Sequence, residues 1–331
     1  MKIVADSAIP FLDDVFAPYA EVVRKEGVGI TRADVCDADA LIVRTRTRCN
    51  ATLLDGSRVK FIATATIGFD HIDLDYCRTH GIGVATAAGC NARGVLQWVA
   101  ATLELLARRC GFRPQERVLG IVGVGNVGRL VKEYAEAWGF RTLCCDPPRQ
   151  EREHLAFVQL EEVLRQADIV TLHVPLDAST RHLINAQTLS QMRPEAVVIN
   201  ASRGEVVDTE ALVASGRDCA IDVWEHEPDI DRRLLGKAIV ATPHIAGYSL
   251  QGKANATAMA VRAVARHFGL PLTEWFPASV VPTEPKPISW QELRATIRAH
   301  YDIAAESDRL RARPHDFEAL RNGYRYREEY F

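Results

Sequence analysis

The stretch Arg117-Val118-Leu119-Gly120-Ile121-Val122-Gly123-Val124-Gly125-Asn126-Val127-Gly128 decides the fold of this chain, because a short apolar run passes directly into the pattern Gly-x-Gly-x-x-Gly. The run is rich in β-branched residues, which is typical of a buried parallel strand, and residues 126–138 have the apolar spacing of a helix. The sequence therefore predicts a strand, a glycine-rich turn and a helix in succession.

Each glycine of the pattern has a physical task at such a turn. Gly123 permits the tight bend, Gly125 lets the backbone approach a pyrophosphate, and Gly128 lets the helix pack closely against the strand. The N–H groups at the start of the helix, at Asn126 and Val127, are then expected to face that anion. Three glycines at this spacing also occur by chance, so the neighbouring sequence has to support the interpretation.

That support comes from a second predicted strand over residues 140–145, which ends at Asp146, eighteen residues after Gly128. A carboxylate at this point is expected to accept hydrogen bonds from the ribose hydroxyls of NAD and to repel the 2′-phosphate of NADP. The alternative is an aspartate that caps a helix starting at Pro147 and Pro148.

Composition narrows the class of protein. The 331 residues are 47% hydrophobic and 25% charged, which is typical of a water-soluble chain with two domains. The net charge of -3 gives no sign of nucleic-acid binding. No apolar stretch reaches the roughly 18 residues of a membrane span, and the acidic start of the chain does not resemble a signal peptide, so a cytoplasmic protein is expected.

The eight cysteines are scattered, with neither a Cys-x-x-Cys pair nor the Cys/His spacing of a metal site. We therefore expect reduced thiols and no bound metal.

The order of segments predicts two α/β domains. Residues 1–91 alternate short apolar segments with amphipathic ones, such as residues 10–23, and residues 249–270, which include a predicted helix over residues 249–268, complete this smaller domain. Residues 92–248 begin with a helix that Asn91 is expected to cap, and then predict a doubly wound, Rossmann-type domain. Residues 271–331 begin with a proline-rich linker, and their aromatic residues predict a dimerisation module, hence a homodimer.

Three later segments each follow a predicted strand and each carry one reactive group. They offer the guanidinium of Arg203, the carboxylate of Glu227 and the imidazole of His244 at the carboxyl edge of the sheet. Oxidation of an alcohol by hydride transfer needs a base for the hydroxyl proton, a task that suits histidine, and a carboxylate on the other ring nitrogen fixes the tautomer. Arginine can clamp an adjacent carboxylate through two hydrogen bonds. Taken singly, each residue also fits an ordinary structural or surface role.

The chain resembles the D-isomer-specific 2-hydroxyacid dehydrogenases. The resemblance lies in the stretches Val124-Gly125-Asn126-Val127-Gly128, Ser202-Arg203-Gly204-Glu205-Val206-Val207-Asp208, Asp222-Val223-Trp224-Glu225-His226-Glu227-Pro228 and Thr242-Pro243-His244-Ile245-Ala246-Gly247. It implies a Rossmann-type NAD domain, a smaller flavodoxin-like substrate domain with substrate in the cleft between them, and a short C-terminal module. The more specific stretches Cys145–Arg149 and His244–Lys253 are similar to the members of the family that oxidise 4-phospho-D-erythronate in pyridoxal 5′-phosphate biosynthesis.

The resemblance also assigns residues. It implies Arg203 and Glu227 as active-site residues and His244 as the acid/base. The implied NAD contacts are Asp146, Val174, Ala201, Ser202, Arg203, Asp222 and Gly247, in addition to the glycine-rich turn. The implied substrate contacts are Thr45, Thr66 and Tyr248. The chain departs from the family at Thr45, Val174 and Ser202, where serine, threonine and cysteine are usual, and a valine side chain offers no hydrogen bond at the second of these.

A phosphorylated hydroxy acid would meet two polar loops of the smaller domain, residues 44–48 and 65–68. Arg44, Arg46 and Arg48 alternate at a predicted strand end and are expected to share one face, although a solvated basic turn would have the same sequence. Two other functions fit the residues. One is a dehydrogenase of the same family that acts on phosphoglycerate or on glyoxylate and hydroxypyruvate, and the other is a non-catalytic protein that senses NADH.

Overall fold

The computed structural model describes all 331 residues and divides into two compact units. The first unit contains Met1–Asn91 and Leu250–Pro282, and the second contains Ala92–Ser249 and Thr283–Phe331. Each unit has one parallel sheet flanked by helices, which confirms the predicted α/β fold class. None of the helices combines the length and the apolar character that crossing a membrane requires.

The sheet of the first unit has five strands in the order β2-β1-β3-β4-β5, and every neighbouring pair is parallel. The strands are β1 (Lys2–Asp6), β2 (Glu21–Lys25), β3 (Ala40–Val43), β4 (Phe61–Thr64) and β5 (Gly83–Thr86). This is the strand order of flavodoxin-like sheets, as the resemblance implied. The central strands β3 and β4 are buried along their whole length.

The amphipathic segment at residues 10–23 contains no helix. It forms turns in which Phe11 and Asp14 have φ values of 61° and 59°, and the chain then enters the edge strand β2. A right-handed helix needs negative φ at each residue, so these two positions break it. The apolar side chains of Leu12 and Phe16 are nevertheless buried, which explains the amphipathic pattern.

The sheet of the second unit has six parallel strands in the order β11-β10-β9-β8-β6-β7. The strands are β6 (Val118–Val122), β7 (Arg141–Cys145), β8 (Ile169–Leu172), β9 (Val197–Asn200), β10 (Cys219–Ile221) and β11 (Val240–Ala241). The chain goes from β6 outward to β7 and then returns to β8 on the other side of β6. The order therefore reverses between β6 and β8, where sheets of this type bind ligands.

The helices flank these sheets. They are α1 (Arg32–Val35), α2 (Ala51–Leu54), α3 (Leu74–Thr79), α4 (Ala92–Cys110), α5 (Asn126–Trp138), α6 (Pro147–Glu153), α7 (Leu160–Gln166), α8 (Ala186–Gln191), α9 (Thr209–Ser215), α10 (Arg232–Lys237), α11 (Leu250–Phe268), α12 (Trp290–His300), α13 (Ile303–Ala312) and α14 (Phe317–Asn322). The expected capping of α4 by Asn91 was wrong, because Asn91 Oδ1 is buried and makes no hydrogen bond.

The C-terminal residues from Thr283 onward belong to the second unit and do not form a module of their own. Their aromatic side chains pack on α5, where the ring of Trp138 lies 5.7 Å from that of Trp290 and 6.4 Å from that of Phe331. Trp138 Nε1 also donates a hydrogen bond to the carbonyl of Ile288 at 3.0 Å. The aromatic residues that suggested an association surface are thus largely used within the chain.

Candidate active site

The glycine-rich turn lies at the switch point of the second sheet. Gly123 has a φ of 86°, and a Cβ there would lie 2.6 Å from the carbonyl oxygen of His173. A Cβ on Gly128 would lie 1.9 Å from the carbonyl oxygen of Gly123. Both glycines are therefore required by the protein itself, the first by conformation and the second by the close contact of helix and turn.

Gly125 makes no close contact of this kind within the protein. A Cβ at this position would meet nothing within 4 Å, and its φ is not in the left-handed region. Gly125 is also the N-terminal cap of α5, and no side chain caps the N–H groups that follow it at Asn126 and Val127. Open space beside uncapped N–H groups fits a bound pyrophosphate, so these residues suit the NAD phosphates.

Asp146 follows β7 directly, and its carboxylate is already engaged by the backbone. Oδ2 accepts a hydrogen bond from the N–H of Val124 at 2.7 Å, and Oδ1 accepts one from the N–H of Arg149 at 3.0 Å, which caps α6. The capping alternative is therefore present in the structure. It does not exclude a ribose contact, because each carboxylate oxygen can accept a second hydrogen bond. The guanidinium of Arg149 bonds to Glu153 and to the carbonyl of Val124.

Val174 lies after β8 beside the glycine-rich turn. Its Cγ1 would be 2.9 Å from a Cβ on Gly123, so the valine side chain packs against the turn. Its neighbour His173 forms a hydrogen bond through Nε2 with Thr171 Oγ1 at 3.0 Å. The position of Val174 allows apolar contact with a bound dinucleotide, and its side chain supplies no hydrogen bond.

The loop after β9 carries Ala201, Ser202 and Arg203 and is shaped by the buried side chain of Asn200. Asn200 Nδ2 donates to the carbonyl of Arg203 at 2.9 Å, and Asn200 Oδ1 accepts from Ser202 Oγ at 2.8 Å. The serine hydroxyl is thus used inside the loop. Arg203 Nη1 donates to the carbonyl of Ser202 at 2.8 Å, which leaves the remaining guanidinium donors without a hydrogen bond in the structure.

Glu227 and His244 form the central contact of the site. Glu227 follows β10, His244 follows β11, and His244 Nδ1 lies 2.8 Å from Glu227 Oε2. The other carboxylate oxygen accepts the N–H of Trp224 at 2.9 Å. Burial alone would raise the pKa of Glu227, but the charge and hydrogen bond of His244, the N–H of Trp224 and the charge of Arg321 together hold it below its ordinary value.

The tautomer of His244 follows from this contact. An ionised carboxylate can only accept, so Nδ1 carries the proton and donates it to Glu227. In the neutral imidazole, Nε2 then keeps a lone pair that can take a proton from a substrate hydroxyl. The pair is therefore arranged as a base with a carboxylate that stabilises the imidazolium formed by proton transfer.

Asp222 holds the loop that carries His244. Its carboxylate is 1% exposed and accepts hydrogen bonds from Thr242 Oγ1 at 2.5 Å, from the N–H of Ile245 at 2.8 Å and from the N–H of Ala246 at 3.0 Å. Burial raises the pKa of Asp222, against the charge of His244 and these three hydrogen bonds. The side chain is turned into the protein, so the structure gives it a positioning role in addition to the predicted NAD contact.

Tyr248 and Gly247 end the same loop and are partly exposed. Tyr248 Oη accepts a hydrogen bond from Arg321 Nε at 3.2 Å. Arg321 is a residue that the sequence interpretation missed, and so is Arg327, whose guanidinium donates to the carbonyls of Ile245, Ala246 and Tyr248. Both lie in the segment that the sequence predicts to be a dimerisation module. The signal that could have identified them is the high content of arginine and aromatic residues at this end of the chain.

The first unit presents the predicted substrate residues Thr45 and Thr66. Thr45 is exposed and lines a surface depression together with Arg48, Asn50 and His71. Thr66 Oγ1 donates to the carbonyl of Gly68 at 3.0 Å, so its hydroxyl is engaged within its own loop.

The prediction that Arg44, Arg46 and Arg48 share one face was wrong, because it assumed that a strand continues through these residues. Strand β3 ends at Val43, and residues 44–47 form a turn in which the alternation of a strand does not apply. Arg44 Nη1 donates to the carbonyl of Ala8 at 3.1 Å, whereas Arg48 lines the depression beside Thr45. Arg48 is therefore the better placed of these two arginines for a phosphate.

Neither a metal site nor a disulfide is present. No group of three or more His, Cys, Asp or Glu side chains is arranged to hold a metal ion, and none of the eight cysteines forms a disulfide.

A parallel sheet whose carboxyl edge carries both the residues suited to NAD and the set of Arg, Glu and His is the arrangement of a nicotinamide-dependent dehydrogenase. Residues 94–246 match the family model of the D-isomer specific 2-hydroxyacid dehydrogenase NAD binding domain. The structure is similar to that of the TT0316 protein of Thermus thermophilus, with a TM-score of 0.66, 28% identity and coverage of 82% of this chain and 98% of that chain.

Two curated relatives are similar over most of their length. The erythronate-4-phosphate dehydrogenase of Bacteroides fragilis (strain YCH46) is 45% identical over an alignment of 342 residues. The alignment covers 99% of this chain and 97% of the relative. The enzyme of the same name from Ectopseudomonas mendocina (strain ymp) is 48% identical over 287 residues, or 84% and 76% of the two chains. The chain belongs to the erythronate-4-phosphate dehydrogenases within the D-isomer-specific 2-hydroxyacid dehydrogenase family, and it carries the NAD-binding domain of that family.

Proposed function

We propose that this chain oxidises 4-phospho-D-erythronate to (R)-3-hydroxy-2-oxo-4-phosphobutanoate with NAD, a step in pyridoxal 5′-phosphate biosynthesis. The observation that carries the chemistry is the 2.8 Å contact between His244 Nδ1 and Glu227 Oε2, because it leaves Nε2 as a base. The choice of substrate is supported by the 45% identity to an erythronate-4-phosphate dehydrogenase over 97% of its length.

His244, Glu227 and Arg203 each have a different role in the reaction. His244 Nε2 takes the proton of the 2-hydroxyl, while Glu227 stabilises the imidazolium that results. Arg203 binds the substrate carboxylate through the guanidinium donors that have no partner in its own loop. With NAD bound, the hydride of C2 would pass to the nicotinamide, so that the alcohol would lose one hydride to the cofactor and one proton to His244.

The cofactor site is assigned to the same carboxyl edge of the sheet, at the switch point between β6 and β8. Gly123, Gly125 and Gly128, with the N–H groups of Asn126 and Val127, hold the pyrophosphate, and Asp146 accepts hydrogen bonds from the ribose hydroxyls. Val174 and the loop of Ala201, Ser202 and Arg203 line the site, together with Asp222 and Gly247. For the substrate we propose contacts from Thr45, Thr66 and Tyr248.

The test is a panel of acids followed by the absorbance of reduced nicotinamide. We expect NAD reduction with 4-phospho-D-erythronate at a kcat/KM well above that with 3-phosphoglycerate or unphosphorylated erythronate. A protein that prefers 3-phosphoglycerate would belong to a different branch of the family. A protein that binds NADH but turns over none of the acids would be a sensor, and either result would refute the proposal.

We also propose that the enzyme is a cytoplasmic homodimer. The eight cysteines that form no disulfide support a reducing compartment. The C-terminal aromatic residues pack largely within the chain, so they give the dimer little support. We propose the dimer from the family resemblance. Light scattering at micromolar concentration tests it, and a monomer would refute the dimer without affecting the catalytic assignment.

A further inference from the structure

Helix α14 brings a second arginine to the catalytic pair. Arg321 Nη1 lies 3.6 Å from Glu227 Oε2, the oxygen that also accepts the proton of His244. Arg321 Nε donates a hydrogen bond to Tyr248 Oη at 3.2 Å, which fixes the plane of the guanidinium. All four residues belong to the second unit, and the side chain of Arg321 is 23% exposed.

Most of the hydrogen-bonding capacity of Arg321 is unused. A guanidinium has five N–H donors, and the only hydrogen bond that Arg321 makes through its side chain is the one from Nε to Tyr248. The distance of 3.6 Å from Nη1 to Glu227 is longer than a hydrogen bond. Neither Nη1 nor Nη2 is among the buried nitrogen atoms that have no partner, so both remain accessible to a ligand.

A purely structural arginine at this depth would be expected to satisfy its donors within the protein. Arg327, another arginine of the same segment, bonds both of its terminal nitrogens to backbone carbonyls, and only its Nε is buried without a partner. Arg321 instead presents two amino groups in a fixed plane next to the residues that remove the substrate proton. That geometry suits an anion with several oxygens, such as a phosphate.

We propose that Arg321 binds the phosphate of the substrate, so that helix α14 supplies part of the substrate site. This inference rests on the function proposed above. Arg203, on the loop after β9, takes the carboxylate at one end of the substrate, and Arg321, which reaches the pair from a different element, takes the group at the other end. Tyr248 orients Arg321 through the hydrogen bond to its Nε.

The experiment compares kcat/KM for 4-phospho-D-erythronate and for erythronate in wild type, Arg321→Gln and Arg321→Lys. Arg321→Gln is expected to lower kcat/KM for the phosphorylated acid at least about tenfold more than kcat/KM for erythronate, because both reactions lose the charge beside Glu227 but only the phosphorylated acid loses a charged hydrogen bond to its phosphate. Arg321→Lys keeps the positive charge but lacks the planar guanidinium. Its kcat/KM for the phosphorylated acid should therefore lie between those of wild type and Arg321→Gln. Arg313→Gln is the matched control, because Arg313 is exposed in the same segment and its side chain makes no hydrogen bond or ion pair.

Three outcomes would overturn the inference. Equal losses with both acids would show that Arg321 acts on Glu227 and not on the phosphate, and unchanged kinetics would show that it does neither. Inorganic phosphate supplies a second measurement: as an inhibitor that competes with the phosphorylated acid, it should bind Arg321→Gln at least about tenfold more weakly than wild type. Equal inhibition of both proteins would also contradict the inference.

The same data separate this inference from the proposed function. If wild type shows no preference for the phosphorylated acid, the proposed function fails. If wild type shows the preference and Arg321→Gln retains it, the proposed function stands and Arg321 is not the phosphate ligand.

Discussion

Arg327 Nη1 donates a hydrogen bond to the carbonyl of Ile245 at 3.0 Å, and Ile245 directly follows His244 in the chain. Arg327 Nη2 donates to the carbonyl of Gly94 at 2.7 Å, and the guanidinium lies 4.2 Å from the centroid of the Tyr301 ring. Arg327 thereby holds the loop that carries the proposed base.

Replacing Arg327 should therefore damage both stability and catalysis. Arg327→Met leaves several buried carbonyls without a donor, which should lower the free energy of unfolding by roughly 3 kcal/mol and reduce kcat because the His244 loop loses its support. Urea unfolding and steady-state kinetics measure the two effects. Arg325→Met, at an exposed position of the same segment, is the control. An Arg327→Met protein with wild-type kcat would show that the loop is held by other contacts.

The pairing of Glu227 with His244 predicts a loss of rate without a loss of cofactor binding. Glu227→Gln can still accept the proton on Nδ1, but it no longer places a negative charge beside the imidazolium. We expect kcat to fall about 100-fold, while the dissociation constant for NADH stays within a factor of about three. Stopped-flow or fluorescence titration gives the binding constant. A variant with normal kcat would remove Glu227 from the mechanism.

The same carboxylate predicts how stability depends on pH. The pKa of Glu227 is held below its ordinary 4.5, so the folded state favours the ionised form relative to the unfolded chain. The contribution of Glu227 to the free energy of unfolding is therefore fully present above about pH 4.5. It is lost as the pH falls through the lowered pKa of the folded state. At pH 7 the free energy of unfolding of wild type should exceed that of Glu227→Gln by about 1–3 kcal/mol. Urea unfolding at pH 7 and pH 4 should show this difference shrinking with acid, and a difference that grows would contradict the assignment.

Asp146 predicts a preference for NAD over NADP. A 2′-phosphate beside this carboxylate would be repelled, although Arg149 is near enough in sequence to reduce the effect. Asp146→Asn keeps an oxygen for the helix cap seen with Arg149 and removes the charge, so it should narrow the ratio of kcat/KM for the two cofactors. Equal efficiency of wild type with NAD and NADP would count against the role of Asp146.

Most of the second unit was predictable because its signals are local. The strand and helix around Gly123 and Gly128 follow from apolar spacing and from glycines that the backbone contacts require. Arg203, Glu227 and His244 each follow a strand, and strand ends of a parallel sheet meet at one edge, so the sequence order was enough to group them.

Long-range contacts were not predictable in the same way. Arg321 and Arg327 reach the loop of His244 from about eighty residues further along the chain, and no local pattern distinguishes them from the many other arginines. The turn after Val43 was misjudged for a related reason: where a strand ends is decided by its neighbours, and the alternation of Arg44, Arg46 and Arg48 has meaning only while the strand continues.

The central claim is that this chain moves a hydride from C2 of 4-phospho-D-erythronate to NAD, and an isotope experiment tests it most directly. With deuterium at C2 of the substrate, mass spectrometry of the reduced cofactor should find one deuterium in each NADH formed, in amounts equal to the 2-oxo product. NADH without deuterium, or no NADH from this acid, would contradict the account.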